Sequence, residues 1–252
     1  MITDPWFYAA AIPAVFLVGM SKGGFGGGLG TLAVPLIALV ISPVQAAGIL
    51  LPILCLMDLF SLWAYRGRWI WPELYVLVPA SLAGIVLGTL MFDALSPAVI
   101  RLLVGIVAIA FTAHYLLSWR RGTHADLPDY PRPAGIAAGA VAGFTSFIAH
   151  AGGPPVSMYL LRRPLDRTDF VATTVLFFTV VNYTKLVPYA WLGQLSPGNL
   201  ATSLVLAPLA PVGVLTGVYL HNRVSDRFFF GMVYVLLGAV GLKLVWDGLA
   251  DF

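Results

Sequence analysis

SKGGFGGGLG at residues 21–30 and HAGGPP at residues 150–155 decide how this chain folds, because each interrupts an otherwise apolar segment. The first interrupts a segment of about 6–41, the second a segment of about 133–161. Around them, uninterrupted apolar segments fall at about 45–65, 73–92, 97–118, 168–191, 199–220 and 228–248. Each is long enough to cross roughly 30 Å of hydrocarbon as a helix rising about 1.5 Å per residue. One long polar stretch, WRRGTHADLPDYPR at 119–132, separates two halves, 1–118 and 133–252. Each half therefore reads as a broken segment followed by three unbroken helices.

Composition agrees. The 252 residues are 60% hydrophobic and 10% charged, with a mean hydropathy of +0.91. A soluble domain carries about a quarter charged residues, so this chain has too few to cover a surface in water. The apolar runs are too long for the strands of a β-barrel, which alternate over about ten residues. A net charge of +3 does not point to nucleic acid, and the single Cys55 supports neither a disulfide framework nor a metal site. Residues 1–20 open with Asp4 and no basic stretch, so they are expected to belong to the mature protein.

The halves resemble each other. A shift of 129 residues pairs Gly23 and Gly24 with Gly152 and Gly153, Pro35 with Pro164 and Pro79 with Pro208. The same shift pairs Gly84 with Gly213, Gly88 with Gly217 and Ser96 with Ser225. These are mostly backbone-defining residues at matching landmarks, which points to an internal duplication. Charge orients the halves. If each broken segment dips in, turns at its glycines and leaves on the side it entered, the halves are inverted. Four loops, 66–72, 119–132, 162–169 and 221–227, then share one face with Arg66, Arg68, Arg120, Arg121, Arg132, Arg162, Arg163, Arg167, Arg223 and Arg227. The opposite loops, near 42–44, 93–97 and 192–198, carry no Lys or Arg. The positive-inside rule favours this arrangement, with the arginine-rich face cytoplasmic and both termini outside a cell inner membrane. Trp63, Trp69, Trp71, Tyr115, Trp119, Tyr189 and Trp191 fit interfacial belts.

Broken helices in matching halves are the usual pointer to a binding site near the membrane midplane. Non-helical backbone survives there only where protein or a water-filled cavity satisfies it. The helix that follows each break aims its N–H groups at that cavity, which favours an anion. The candidate ligands from the breaks are Lys22, Gly23, Gly24, Gly26, His150, Gly152 and Gly153. Close helix packing by small residues is the competing explanation of the glycines. Charges within apolar segments are costly and usually functional. Lys185 lies deep in FFTVVNYTKLVPY (177–189), one turn after Asn182, and both join the candidate anion ligands. Asp58, in LLPILCLMDLFSLW (50–63), falls opposite Val187 under the 129-residue shift, at a depth similar to Lys185. It is a proton carrier or counter-charge; a structural Asp58–Lys185 pair and a Lys22 that snorkels to an interface are the alternatives. His150 is a donor to an anion, a proton carrier or a packing group. Ser21, Thr31, Ser146 and Ser157 flank the breaks as candidate hydroxyl donors, although such residues often bond their own backbone. His114, His124 and His221 lie at segment ends or in loops and need no special role.

The chain has no GxxxxGK[ST], HExxH, GxSxG or paired-cysteine motif, so neither ATP hydrolysis at a Walker site nor a familiar hydrolase chemistry is expected. The GxGxxG-like spacing at 23–30 lacks a strand–turn–helix context and is not a dinucleotide site.

Four stretches together resemble the sulfite exporter TauE/SafE family: GMSKGGFGGGLGTLAVPLIAL (19–39), LLPILCLMDLFSLWAYRGRW (50–69), AHAGGPPVSMYLL (149–161) and NYTKLVPY (182–189). With the duplicated layout, the resemblance covers nearly the whole chain. It implies a permease for small anions, commonly sulfur oxyanions or organosulfonates, with no ATPase of its own. It also carries a site onto Gly23, Gly24, Gly26, Gly152, Gly153 and Lys185. The chain departs from the family pattern at GGPP, where a longer glycine run is expected. The expected fold is an all-α membrane protein of two inverted repeats, each a re-entrant-like broken segment plus three transmembrane helices. The expected function is secondary transport, as an exporter, of an anion such as sulfite by alternating access. An anion channel or uptake permease is the alternative, an intramembrane enzyme a distant third. No metal or cofactor is expected; the partners are a small anion and the lipid bilayer, and a homodimer is compatible with the sequence.

Overall fold

A computed structural model describes residues 1–26, 30–92, 94–120, 131–221, 223 and 226–251. Among these the secondary structure is entirely helical: α1 (Pro5–Gly24), α2 (Gly30–Ile37), α3 (Pro43–Ala64), α4 (Trp71–Phe92), α5 (Pro97–Arg120), α6 (Arg132–Ala149), α7 (Gly153–Leu160), α8 (Arg167–Trp191), α9 (Pro197–Leu206), α10 (Leu209–Leu220) and α11 (Asp226–Ala250). Most of the polar connection expected at 119–132 lies outside the described residues. The helix starts follow from their first residues. Asp4, Ser42, Asp166 and Ser196 each accept a backbone N–H of the first turn. Three of these caps are followed by proline, which has no N–H to leave unsatisfied.

α1, α3, α4 and α8 are long and apolar enough to cross a membrane, and α9 with α10 makes a fifth span if the bent pair is one crossing. Residues 199–220 were expected as one unbroken helix; instead α9 and α10 meet at an angle of 43°. Pro208 and Pro211 cannot donate to the carbonyls one turn earlier, and Ala207 and Ala210 bond three residues back instead. Large apolar side chains face outward along the spans, among them Leu59, Leu90, Val187 and Leu204. A chain that exposes such residues all round is built for lipid rather than water. Trp63 and Trp71 lie exposed at one end of the bundle, and Trp6, Trp191 and Trp246 at the other. Tyr189 does not belong to these belts: it is buried, and its hydroxyl donates to the Phe147 carbonyl at 2.6 Å. The side chains of Tyr115 and Trp119 lie outside the described residues.

Contacts sort the connections into two groups. Near the C-terminal end of α3, Arg68 pairs with Asp166 at 2.8 Å and Asp169 at 2.7 Å, and Arg163 with Glu73 at 3.0 Å. The Asp169 N–H and the Arg68 guanidinium hold the Asp166 carboxyl below its usual range. Tyr65 sits edge-on to His221, 5.8 Å between ring centroids, so the chain after α10 reaches the same end. Near the N-terminal end of α3, Gln45 donates to Asn199 at 3.3 Å and the Ile2 N–H to Thr202 at 3.1 Å. Thus α1 and α3 both start at the end where α9 starts.

Helices in lipid gain little from apolar burial against one another, so close backbone approach carries their packing. α4 lies along α6, α1 along α10, α5 along α11 and α3 along α8. At the first crossing, a Cβ on Gly84 would collide with the Ala140 carbonyl, and one on Gly143 with the Ser81 carbonyl. At the second, Gly23 meets Val214 and Gly24 meets Gly217 in the same way. Gly84→Leu is expected to cost about 1–3 kcal/mol or more by overpacking, read as a melting temperature several degrees lower in detergent. Gly198→Ala, which meets only the Met1 nitrogen at 3.5 Å, is expected to change it little.

Candidate functional site

Three helices bring the candidate charges to the middle of the bundle. The last turn of α1 carries Lys22, the middle of α3 carries Asp58 and α8 carries Asn182 and Lys185. Asp58 is 0% exposed and Lys22 5%. One Asp58 oxygen forms an ion pair with Lys22, and the other accepts from the Asn182 amide at 2.7 Å. This corrects two alternatives drawn from the sequence: Asp58 pairs with Lys22 rather than Lys185, and Lys22 does not snorkel. The ammonium lies one turn from the end of α1, and that end is docked on α3 by the Tyr65 hydroxyl, which donates to the Gly23 carbonyl at 2.6 Å. Position, rather than side-chain reach, sets the pairing.

Lys185 is fully buried and belongs to a second cluster. Its ammonium donates to the Ser146 carbonyl at 3.0 Å, the Ser146 hydroxyl at 2.9 Å and Nδ1 of His150 at 2.8 Å. An ammonium only donates, so Nδ1 accepts and the proton sits on Nε2, which donates to the Ala47 carbonyl at 2.9 Å. His150 is thereby a neutral packing and orienting group in this arrangement. Its backbone closes α6 at φ 52°, a left-handed conformation that side chains seldom adopt, and its N–H donates to the Ser146 carbonyl. Among the described residues, no carboxylate lies within ion-pair distance of Lys185. With Lys22 paired to Asp58, a protonated Lys185 is a buried charge with no carboxylate in contact among the described residues. A buried charge without a counter-charge is costly, and an arriving anion removes that cost.

The glycines take other positions. Gly23 and Gly24 close α1, and their missing side chains admit α10. Gly26 turns the chain at φ 72° against Phe170. Gly152 precedes α7, with the Ala142 carbonyl 2.7 Å from where its Cβ would lie, and Gly153 begins α7. The two glycine pairs that the 129-residue shift matched therefore lie on opposite sides of their breaks. Pro154 and Pro155 contribute no N–H to the start of α7. At the start of α2, Gly30, Thr31 and Leu32 each carry one; residues 27–29 lie outside the described residues. Of the candidate hydroxyls, Ser146 is engaged by Lys185, Ser21 and Thr31 are buried, and Ser157 is half-buried beyond the start of α7.

Three residues of this region were given no role in the sequence; His221 was set aside as a loop or segment-end residue. His221 is buried, with Nδ1 2.7 Å from the Gly24 carbonyl, tying the end of α1 to the end of α10. Tyr65 docks the same end of α1. Ser61 is buried on α3 one turn beyond Asp58, and among the described residues its hydroxyl has no hydrogen-bond partner. Helical spacing puts Asp58, Ser61 and Tyr65 on one face of α3, a signal visible in the sequence once Lys22 is known to lie opposite.

A family model described as sulfite exporter TauE/SafE matches residues 11–244. No curated protein and no solved structure matches the chain.

Proposed function

The chain belongs to the sulfite exporter TauE/SafE family, and from that premise we propose that it is a secondary transporter, exporting a small anion such as sulfite or an organosulfonate by alternating access. The family itself implies a membrane transporter of sulfite or related anions. The observation that carries the site is Lys185: a fully buried ammonium with no carboxylate partner among the described residues. The anion is bound there, beside Asn182 and between the two breaks, and Lys22 lies close by on α1.

Alternating access rests on two inverted repeats, 1–118 and 133–252, and three features support them. Exchanging the halves turns the α4–α6 contact into the α10–α1 contact and leaves α3–α8 and α5–α11 unchanged. Tyr65 reaches back 42 residues to the Gly23 carbonyl, and Tyr189 reaches back 42 residues to that of Phe147, each at 2.6 Å. The left-handed Gly26 and His150 are related by the same spacing of 124 residues that separates Asp58 from Asn182. The arms and the helices after them thus follow a 124-residue register; the 129-residue register suits the later landmarks, Pro79 with Pro208 and Gly84 with Gly213. Five extra residues between Tyr189 and Pro208 account for the change. In this register Asp58 and Asn182 are counterparts, and they touch where the repeats meet.

A thermal-shift series tests the site. A ligand that binds only the folded state raises the melting point, so sulfite, sulfate, thiosulfate or a small sulfonate is expected to stabilise the purified protein. No stabilisation by any of the four would sink the anion reading. For topology, single cysteines at Arg66 and Gly198 on a Cys55→Ala background are expected to label from opposite sides in intact cells, the Arg66 site being cytoplasmic. Equal labelling would exclude the inverted arrangement.

A further inference from the structure

The Asp58 carboxylate presents two oxygens to one ammonium and one amide, which is the donor set a small oxyanion needs. One turn along α3 the Ser61 hydroxyl, fully buried and without a partner among the described residues, comes between Asp58, bonded to Lys22, and Tyr65, bonded to the Gly23 carbonyl. An unpartnered buried hydroxyl is costly, and one turn from Asp58 it is a candidate donor for a third oxygen of an anion on Lys22. We propose that Asp58 is a built-in competitor of the transported oxyanion for Lys22 and Asn182, that it gives way when it takes up a proton, and that one proton therefore travels with each anion. The proposal rests on the anion site at Lys185 and extends it to Lys22, Asn182 and Ser61.

The balance is simple. A proton adds to the Asp58 carboxylate; the neutral acid releases the Lys22 ammonium, and the Asn182 amide turns to the incoming oxyanion. On release the anion leaves, Asp58 loses its proton and the pair reforms. No bond to the anion is made or broken. The titratable and charged groups around Asp58 are few. α1 presents Lys22; α8 presents Lys185 and Tyr183, whose hydroxyl lies 3.4 Å from the Cys55 carbonyl. α6 contributes His150, engaged by Lys185 and Ala47, and α3 itself carries Cys55, one turn before Asp58. α2 and α9 hold no titratable side chain, and α10 only the exposed Tyr219. On α5, Arg101 pairs with Asp251 and His114 is exposed. None supplies Asp58 with a second cation in contact, so Lys22, with the Asn182 amide, holds its charge. A monovalent anion moving with a proton carries no net charge, and export then follows the outward gradient set by whatever reaction forms the anion inside.

The probe is sulfite, whose own titration is common to every variant. Its affinity is measured from pH 5 to pH 9 for wild type and Asp58→Asn, the uncharged mimic. The ratio of the two affinities is expected to rise with pH toward tenfold per unit once Asp58 ionises, the variant binding more tightly. A ratio that stays constant with pH, or a folded Asp58→Asn protein that no longer binds, overturns the proposal. Because Asp58→Asn leaves Lys22 without a counter-charge, Lys22→Met/Asp58→Asn provides a second reading. It is expected to bind more weakly, with the wild-type dependence on Asp58 gone; a pH profile parallel to wild type argues against the competitor. Loss of binding in Lys185→Met separates the two levels: if that variant binds as wild type does, the Lys185 site fails, whatever Asp58 does.

Discussion

Lys185→Met is expected to remove sulfite binding and flux while the protein still inserts and folds. Removing one partner of a buried, hydrogen-bonded charge interaction costs about 2–5 kcal/mol in affinity, roughly 30-fold to several-thousand-fold at 1.4 kcal/mol per decade. The stability of the ligand-free protein should change little, because two effects oppose. Ser146 and His150 lose a donor, but an uncompensated buried charge is also removed. The measurement is sulfite-dependent thermal shift together with flux in proteoliposomes. Wild-type flux would show that the anion does not use Lys185.

Lys22→Met is expected to act on the fold. It leaves Asp58 fully buried and without its cation, a change that costs about 3–5 kcal/mol in comparable buried pairs. Lys22→Met/Asp58→Asn should recover most of that loss, because the asparagine carbonyl still accepts from Asn182 and no charge remains to be compensated. Melting temperatures of the two single variants and the double variant in one detergent complete the cycle. Additive losses would mean that Lys22 and Asp58 do not depend on each other. The contrast between the lysines is the useful result: Lys22 pairs with Asp58 within the protein, whereas Lys185 has no carboxylate partner among the described residues.

The sequence carried much of the architecture. Length and hydropathy located the helices, because both are averaged over twenty residues and tolerate local error. The arginines of 66–72 and 162–169 were expected on one face, and Arg68 does meet Asp166 and Asp169. The pairing of charges was less legible. Asp58 was placed near Lys185 because one 129-residue register was applied throughout, whereas in the proposed repeat five extra residues after Tyr189 move the correspondence to Asn182, which does hydrogen-bond Asp58. Tyr65 and Tyr189 held the correct spacing, but a lone tyrosine near a helix end looks like an interfacial anchor until its hydroxyl is seen on a carbonyl. The glycines were legible as landmarks and not as ligands: whether Gly23 faces an anion or Val214 depends on a helix nearly two hundred residues away. Ser61 was invisible because a missing partner is a property of three dimensions.

The bend between α9 and α10 has a further consequence. In the proposed repeat its counterpart is α4, which runs unbroken through Pro79, while α9 and α10 turn by 43° next to Pro208. If the halves are repeats in alternating access, their different shapes are one frame of a two-frame cycle, and trading their shapes draws the other. In that second frame residues 199–220 run as one helix and 71–92 bend at Pro79. Spin-label distances across each proline, between Tyr75 and Leu90 and between Leu204 and Tyr219, should then change in opposite senses as the protein turns over, the first shortening as the second lengthens. In the proposed cycle, the shape of each half is a record of the other half's second conformation.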